Sequence, residues 1–312
     1  MFFNNTDKRY NQFSAYLKNK FGAKVYKITL DAGFSCPNRD GVISTGGCIF
    51  CDEGGSFSQA HSNLLPIEEQ VKVGAETLKN RFKAEKFMSY FQAYTNTYKP
   101  VGELESIYKS ALNHPDIVGL SIGTRPDCVE YEKLNLISDI AKDYYTWVEY
   151  GLQSIHDKTL LKINRGHDFE TACKAVKMTA ERGIDVGAHF ILGLPGETRQ
   201  MMLDACSLIN DLPLRSVKFH QLQIVKGTQM EKEYAQVPQD FERFSLEEYL
   251  DFFVEMLERL RPDLFIERFV GEVPPRFVNE TPWGLIRNVE LLRLLEARLL
   301  EKDSWQGKLL EK

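Results

Sequence analysis

The sequence predicts an α/β fold, a partial (β/α)6 barrel with helical extensions at both ends, and three observations carry that reading. Short apolar runs of strand length alternate with amphipathic stretches of helix length. No low-complexity segment, Pro/Ser-rich linker or repeat of fixed period interrupts the alternation. The motifs rich in glycine, proline and cysteine fall directly after the strand-like runs, where the loops of a parallel sheet or barrel gather their ligands. At 312 residues, 43% of them hydrophobic, the chain can bury a sizeable core.

In chain order, strands are expected at Val25–Leu30, Met88–Tyr94, Ile117–Ile122, Thr146–Gly151, Asp185–Leu192 and Ser216–Ile224. Between them, helices are expected at Ile67–Lys86, Gly102–Asn113, Tyr131–Asp143, Phe169–Arg182 and Thr198–Leu212. Strand, helix, strand repeated in this way implies parallel strands joined by right-handed crossovers. After the sixth strand the pattern changes. A helix runs from Ser245 to Leu260, opened by "SLEE" as a capping box, and a charged helix closes the chain at about Leu285–Glu301. The expected organisation is therefore a basic N-terminal extension (1–24), a barrel (25–228) and a C-terminal extension (229–312) that packs on the barrel.

Composition narrows the function. No apolar run reaches the ~20 residues of a bilayer crossing and the N-terminus lacks the pattern of a signal peptide, so the protein reads as cytoplasmic with no membrane partner. Six cysteines are too few for a secreted disulfide scaffold. A net charge of -5 argues against non-specific nucleic-acid binding by the whole chain. Residues 1–27, however, carry Lys8, Arg9, Lys18, Lys20, Lys24 and Lys27 against Asp7 alone, interleaved with Tyr10, Phe13, Tyr16, Phe21 and Tyr26. Basic groups meet phosphates and aromatic faces stack on unpaired bases, a mixture that suits RNA. The same residues also read as an amphipathic capping helix, since Phe13, Tyr16 and Leu17 fall at helical spacing.

The densest signal is "CPNRDGVISTGGCIFCDEGGS", Cys36 to Ser56, which holds Cys36, Cys48 and Cys51 just after the first strand. A structural zinc site needs a fourth ligand, for which His61 is the nearby candidate. A cubane 4Fe-4S cluster needs only three thiolates when its fourth iron is left open to a ligand, and that accounts for the number. Gly46, Gly47, Gly54 and Gly55 let the backbone wrap closely around such a group.

With these residues the chain resembles the radical S-adenosylmethionine (SAM) enzymes, whose last cysteine is preceded by an aromatic, here Phe50 in "CIFC". Its first gap is eleven residues where the usual pattern has three, an expansion familiar in the subgroup that resembles the catalytic subunit of Elongator. The resemblance extends to "VEYGLQS", with Glu149 and Gln153 facing SAM or substrate, and to "INRGH", where Arg165 would meet the SAM carboxylate. It also covers "GLPGE", where Gly193 leads to Glu197 and the segment would hold the adenine. Thr95 and Asn96 of "YTNTY" stand where the superfamily commonly has Gly-Gly-Glu, and Thr124 or Arg125 of "GTRPD" would reach the site. Cys128 beside that motif is a candidate catalytic thiol. Cys173 and Cys206 read as buried hydrophobes, and His189 and His220 as core histidines without a role.

"KVYKITLDAGFSCPNRDG" with "GGCIFCDEGGSFS", "GLQS", "NRGH" and "GLPGE" further resembles the bacterial YhcC/YtqA family, the YtqA branch of which is also called MnmL. This resemblance implies a 4Fe-4S cluster, SAM, and an electron donor such as flavodoxin or ferredoxin. The chemistry implied is a 5'-deoxyadenosyl radical directed at a tRNA wobble uridine, turning its carboxymethylaminomethyl substituent into aminomethyl. With tRNA as partner, Lys8, Arg9, Lys18, Lys20 and Lys24 become the nucleic-acid contacts. The alternatives are a radical SAM enzyme acting on a protein or small molecule, and a structural zinc module.

Overall fold

The computed structural model describes residues 3, 6–52, 65–271, 273–278, 280, 283 and 286–310. The chain enters through α1 (Phe13–Phe21) and then alternates: β1 (Val25–Leu30), α2 (Ile67–Phe82), β2 (Lys86–Phe91), α3 (Val101–Leu112), β3 (Ile117–Thr124), α4 (Tyr131–Ile140) and β4 (Tyr145–Gln153). There follow α5 (Asp157–Lys162), α6 (Phe169–Ala180), β5 (Asp185–Leu192), α7 (Arg199–Asp211) and β6 (Ser216–Gln221). The last elements are α8 (Gln229–Gln236), α9 (Leu246–Arg259), β7 (Phe265–Arg268) and α10 (Asn288–Glu301). The strands form one sheet in sequential order, β1 to β7, each pair of neighbours parallel, and the sheet curls into a half-barrel with helices outside it.

Six strands lie where periodicity places them, with β1 and β5 matching residue for residue. The second strand ends at Phe91 instead of Tyr94, because the backbone turns at Tyr94, whose φ is +61°. The sixth likewise ends at Gln221, short of Ile224. The seventh strand is a correction to the expected count. At four residues, "FIER" is too short to show a period, and it becomes a strand through pairing with β6, Ser216 to Phe265 and Val217 to Ile266. The C-terminal segment thus supplies a strand to the sheet as well as helices around it. The expected capping box is present, Ser245 and Glu248 exchanging hydrogen bonds at the start of α9.

Alternation along each strand divides the two faces. On β4, Val148, Tyr150 and Leu152 point outward into the apolar core shared with the helices, while Trp147, Glu149 and Gly151 face the concave interior. At the amino-terminal end of the strands, inward-facing Met88, Trp147 and Phe265 are closed over by Phe13 and Leu17 of α1. The apolar face of the N-terminal helix is therefore a cap on the sheet, as its helical spacing leads one to expect. Among the described residues, no helix is long and apolar enough to cross a membrane.

Candidate functional site

Cys36, Cys48 and Cys51 sit on the long connection after β1, at the carboxyl-terminal end of the sheet. The loop that carries them is held from outside. The "INRGH" segment between α5 and α6 braces it: the Asn38 amide donates to the Asn164 carbonyl at 2.6 Å, the Asn164 amide donates to the Gly47 carbonyl at 2.7 Å, and the Ile49 N–H donates to the Ile163 carbonyl at 3.0 Å. Ile49 also anchors inward, and Phe50 packs with it against the apolar cluster of Leu160, Ile163 and Leu194.

Nitrogen donors point at the sulfurs. Arg165 Nη1 lies 3.5 Å and Asn38 Nδ2 3.6 Å from Cys48 Sγ, and Arg39 Nη1 lies 3.9 Å from Cys51 Sγ. Arg165 is buried, and its Nη2 donates to the Gly151 carbonyl at 2.6 Å. Arg125, also buried, forks onto Asp127 at 2.9 and 2.7 Å and donates to the Arg165 carbonyl at 2.8 Å. Burial alone would raise the Asp127 carboxyl, but the Arg125 hydrogen bonds and charge hold it below its ordinary range.

Four buried polar atoms in this neighbourhood have no hydrogen-bond partner: Thr95 Oγ1, Arg125 Nη1, Arg165 Nε and His167 Nε2. Buried donors and acceptors are rarely left so without a ligand to meet them. Of the expected contacts, Thr95 therefore keeps a group free, whereas Asn96 donates to the Gly123 carbonyl and the Thr124 hydroxyl pairs with that of Thr97 at 2.7 Å. Arg125, not Thr124, is the residue of "GTRPD" that offers an unused group.

The remaining expected residues divide. Gln153, half-buried with φ of +71°, folds back over Gly151, where an added Cβ would meet its amide nitrogen at 2.6 Å and Arg165 Nη2 at 3.0 Å. Gly193, with φ of +91°, passes so close to the Glu242 carbonyl that a Cβ would stand 2.7 Å from it. Glu197 is buried and accepts from the Ser154 hydroxyl, and burial raises its carboxyl. It pins the loop after β4 to the one after β5. Glu149 lies one layer below the rim with both oxygens taken by protein groups: Ser121, Lys27, Tyr90, His189 and Lys218.

Cys128 is buried, and that burial pushes its thiol up to about 12. Burial also pushes Cys206 up to about 12, as fits a core residue. Gly54, Gly55 and His61 lie outside the described residues. Among the described residues, no three His, Cys, Asp or Glu side chains gather to enclose a single metal ion. Lys8 pairs with Glu296 and Arg9 with Asp303, while Lys20 and Lys24 lie over the rings of Tyr145 and Tyr26. Helix α1, which holds Lys18 and Lys20, caps the end of the sheet opposite the cysteine loop.

A half-barrel with a three-thiol loop at the carboxyl ends of its strands defines a radical SAM protein, and the chain belongs to that superfamily: its family model matches residues 40–209, and a model of the radical SAM C-terminal domain matches residues 214–301. Such proteins use a 4Fe-4S cluster and SAM. Within the superfamily it is of the YhcC/YtqA family. It is 36% identical over 310 residues to the uncharacterized protein YtqA of Bacillus subtilis, covering 99% of this chain and 95% of that one. It is also 32% identical over 136 residues to a tRNA uridine(34) acetyltransferase of Methanocaldococcus infernus, a match that spans 42% of this chain and 24% of the other. In fold it resembles the structure of the archaeal Elp3 from the same organism, with a TM-score of 0.69 at 18% identity, over 90% of this chain and 64% of that one.

The residues present fit the cofactors. Two of the three thiols, Cys48 and Cys51, face N–H donors, as anionic sulfur requires, and the unpartnered hydroxyl and guanidinium groups beside them match the charged ends of SAM.

Proposed function

We propose that this radical SAM enzyme acts on tRNA, converting the carboxymethylaminomethyl group of a wobble uridine to aminomethyl. The observation that carries the reading is the cysteine loop itself, seated at the carboxyl end of a half-barrel with unpartnered Thr95, Arg125 and Arg165 groups around it. The similarity to a tRNA uridine(34) acetyltransferase supports the choice of substrate.

In this reading Cys36, Cys48 and Cys51 hold the cluster, Thr95 accepts from the SAM amino group, and Arg165 and Arg125 meet its carboxylate. The Gly193–Glu197 turn shapes the adenine side, and Phe50 keeps water from the cluster. When bound, the cluster and SAM would supply a radical that removes a hydrogen from the CH2 of the carboxymethyl arm. With SAM as the net oxidant and a flavodoxin or ferredoxin giving the priming electron, that carbon and the nitrogen become an imine, and water cleaves it to the aminomethyl group and glyoxylate. Lys18, Lys20 and Lys24, at the far end of the barrel, would meet the body of the RNA instead of the base being modified. Strands of six residues set that end roughly 20 Å from the cysteine loop, a short span for a tRNA.

The partners these basic groups already have, Glu296 for Lys8, Asp303 for Arg9 and the rings of Tyr145 and Tyr26 for Lys20 and Lys24, favour a second reading, in which the substrate is a protein or a small molecule that never touches α1. Mass spectrometry of tRNA nucleosides from a strain lacking the gene separates the two. Loss of aminomethyl or methylaminomethyl uridine with accumulation of the carboxymethylaminomethyl form is the expected result. An unchanged profile removes tRNA as substrate.

A further inference from the structure

Below the cysteine loop, the concave face carries a layer of charge that neither the cluster nor SAM accounts for. Each strand gives it one side chain: Lys27, Tyr90, Ser121, Glu149, His189, Lys218 and Glu267, from β1 to β7 in turn. Glu149 is its centre. Lys218 Nζ lies 2.5 Å, His189 Nε2 2.7 Å and the Tyr90 hydroxyl 3.1 Å from its Oε2, while Lys27 and the Ser121 hydroxyl reach its Oε1. Glu267 accepts from Lys27 at 3.0 Å and lies 3.5 Å from Lys218. Such positions in a barrel are ordinarily filled with branched apolar side chains. A buried ionic layer is no more stable than an apolar one of similar volume, so stability does not explain it.

The layer has a sealed side and an open one. Met88, Trp147 and Phe265, capped by Phe13 and Leu17, close it toward the amino-terminal ends of the strands. Toward the rim it meets the site directly. His189 is paired across the sheet with Gly151, whose carbonyl takes Arg165, whose other nitrogen faces Cys48. The two carboxylates are sealed, with 0% and 5% of their side chains exposed, whereas Lys27 and His189 keep 22% and 19%.

The exposed pair has a definite chemistry. Lys27 has three N–H donors, of which Glu149 and Glu267 take two. His189 gives its Nε2 proton to the Glu149 carboxylate, which leaves Nδ1 as the acceptor side of the ring, and burial with the Lys218 charge holds its pKa below the ordinary value. Among the described residues Nδ1 has no hydrogen-bond partner. One surface beneath the cluster thus offers a cationic donor beside an acceptor.

We propose that this layer is the floor of the substrate chamber and selects a substituent carrying both a carboxylate and an amino nitrogen, the carboxylate meeting Lys27 and the N–H meeting His189 Nδ1. The proposal rests on the tRNA reading above and names the part of the substrate that the barrel recognises. Glu149 and Glu267 are positioning residues in it, fixing the lysine and the tautomer of the imidazole.

The test uses the full-length protein with its cluster, kept anaerobic, and two anticodon stem-loop RNAs that differ only in carrying carboxymethylaminomethyluridine or aminomethyluridine at the wobble position. Fluorescence anisotropy is expected to show the first bound about ten-fold more tightly, since only it offers a carboxylate to the lysine. Lys27→Met and His189→Phe are expected to bring the two affinities together, with iron content unchanged. Equal binding of the two RNAs by the unaltered protein overturns this proposal alone, whatever the variants do, and leaves RNA as substrate. A preference that survives in both variants overturns it as well. Binding of neither RNA removes the tRNA reading, and this proposal with it.

Discussion

Arg165 joins the cysteine loop to the sheet: one guanidinium nitrogen faces Cys48 Sγ at 3.5 Å and another donates to the Gly151 carbonyl at 2.6 Å, while Nε is left over. A planar fork held at two points aims its third donor in a fixed direction, which an ammonium on a flexible stem cannot reproduce. Arg165→Gln is expected to weaken SAM binding by about ten-fold or more, and Arg165→Lys to restore only part of it. Anaerobic equilibrium dialysis with labelled SAM measures both. Unchanged affinity in Arg165→Gln would remove Arg165 from the SAM contacts.

The three clustered thiols are separable from the other cysteines. Alanine at Cys36, Cys48 or Cys51 is expected to abolish cluster binding, read as iron and sulfide content and as loss of the brown colour. Alanine at Cys128, Cys173 or Cys206 is expected to retain the cluster. Full iron content in any of the first three variants would sink the ligand assignment, and tightly bound zinc in the unaltered protein would revive the zinc module.

His167 couples stability to acid. Burial, with Arg165 acting in the same direction, pushes its imidazole down to about 4 from 6.5. The folded state therefore holds the neutral ring while the unfolded chain takes up a proton first. Its contribution to stability is complete above pH 6.5 and declines as pH falls toward about 4. His167→Gln is expected to flatten the change of melting temperature across that window, and a parallel curve for the variant would show that other groups set it.

The N-terminal helix is structural in its apolar residues. Phe13 packs on Trp147 at 4.7 Å between ring centres, so Phe13→Ala is expected to cost about 3 kcal/mol in denaturant unfolding. If Lys18 and Lys20 of this helix and Lys24 just after it also meet RNA, reversing the three charges together will weaken tRNA binding and flatten its salt dependence, by roughly one unit of slope for each phosphate no longer neutralised. SAM cleavage without RNA is expected to persist. An unaltered salt dependence would move RNA away from α1.

The short helices α5 and α8 were not legible in the sequence; by itself it determined six strands, the helices α2, α3, α4, α6, α7, α9 and α10, the parallel connections and the cysteine loop. These are local: alternation, helical spacing and a run of thiols are each visible within a short window. Even so, the short β7 escaped, because four residues show no period and only pairing with β6 makes them a strand. Tertiary structure alone decided which polar groups meet. His189 and His220 read as core histidines without a role, and Lys27 as one more basic residue of the N-terminal segment. Glu149, Lys27, Lys218 and Glu267 come from four different strands and become one charge layer only when the sheet curls. Thr124 and Arg125 are adjacent in sequence, yet the strand's end gives one hydroxyl to Thr97 and leaves the other side chain's Nη1 unmet. Periodicity assigns a side chain to a face of the sheet; its partner is set by register and curvature, which no short window of sequence contains.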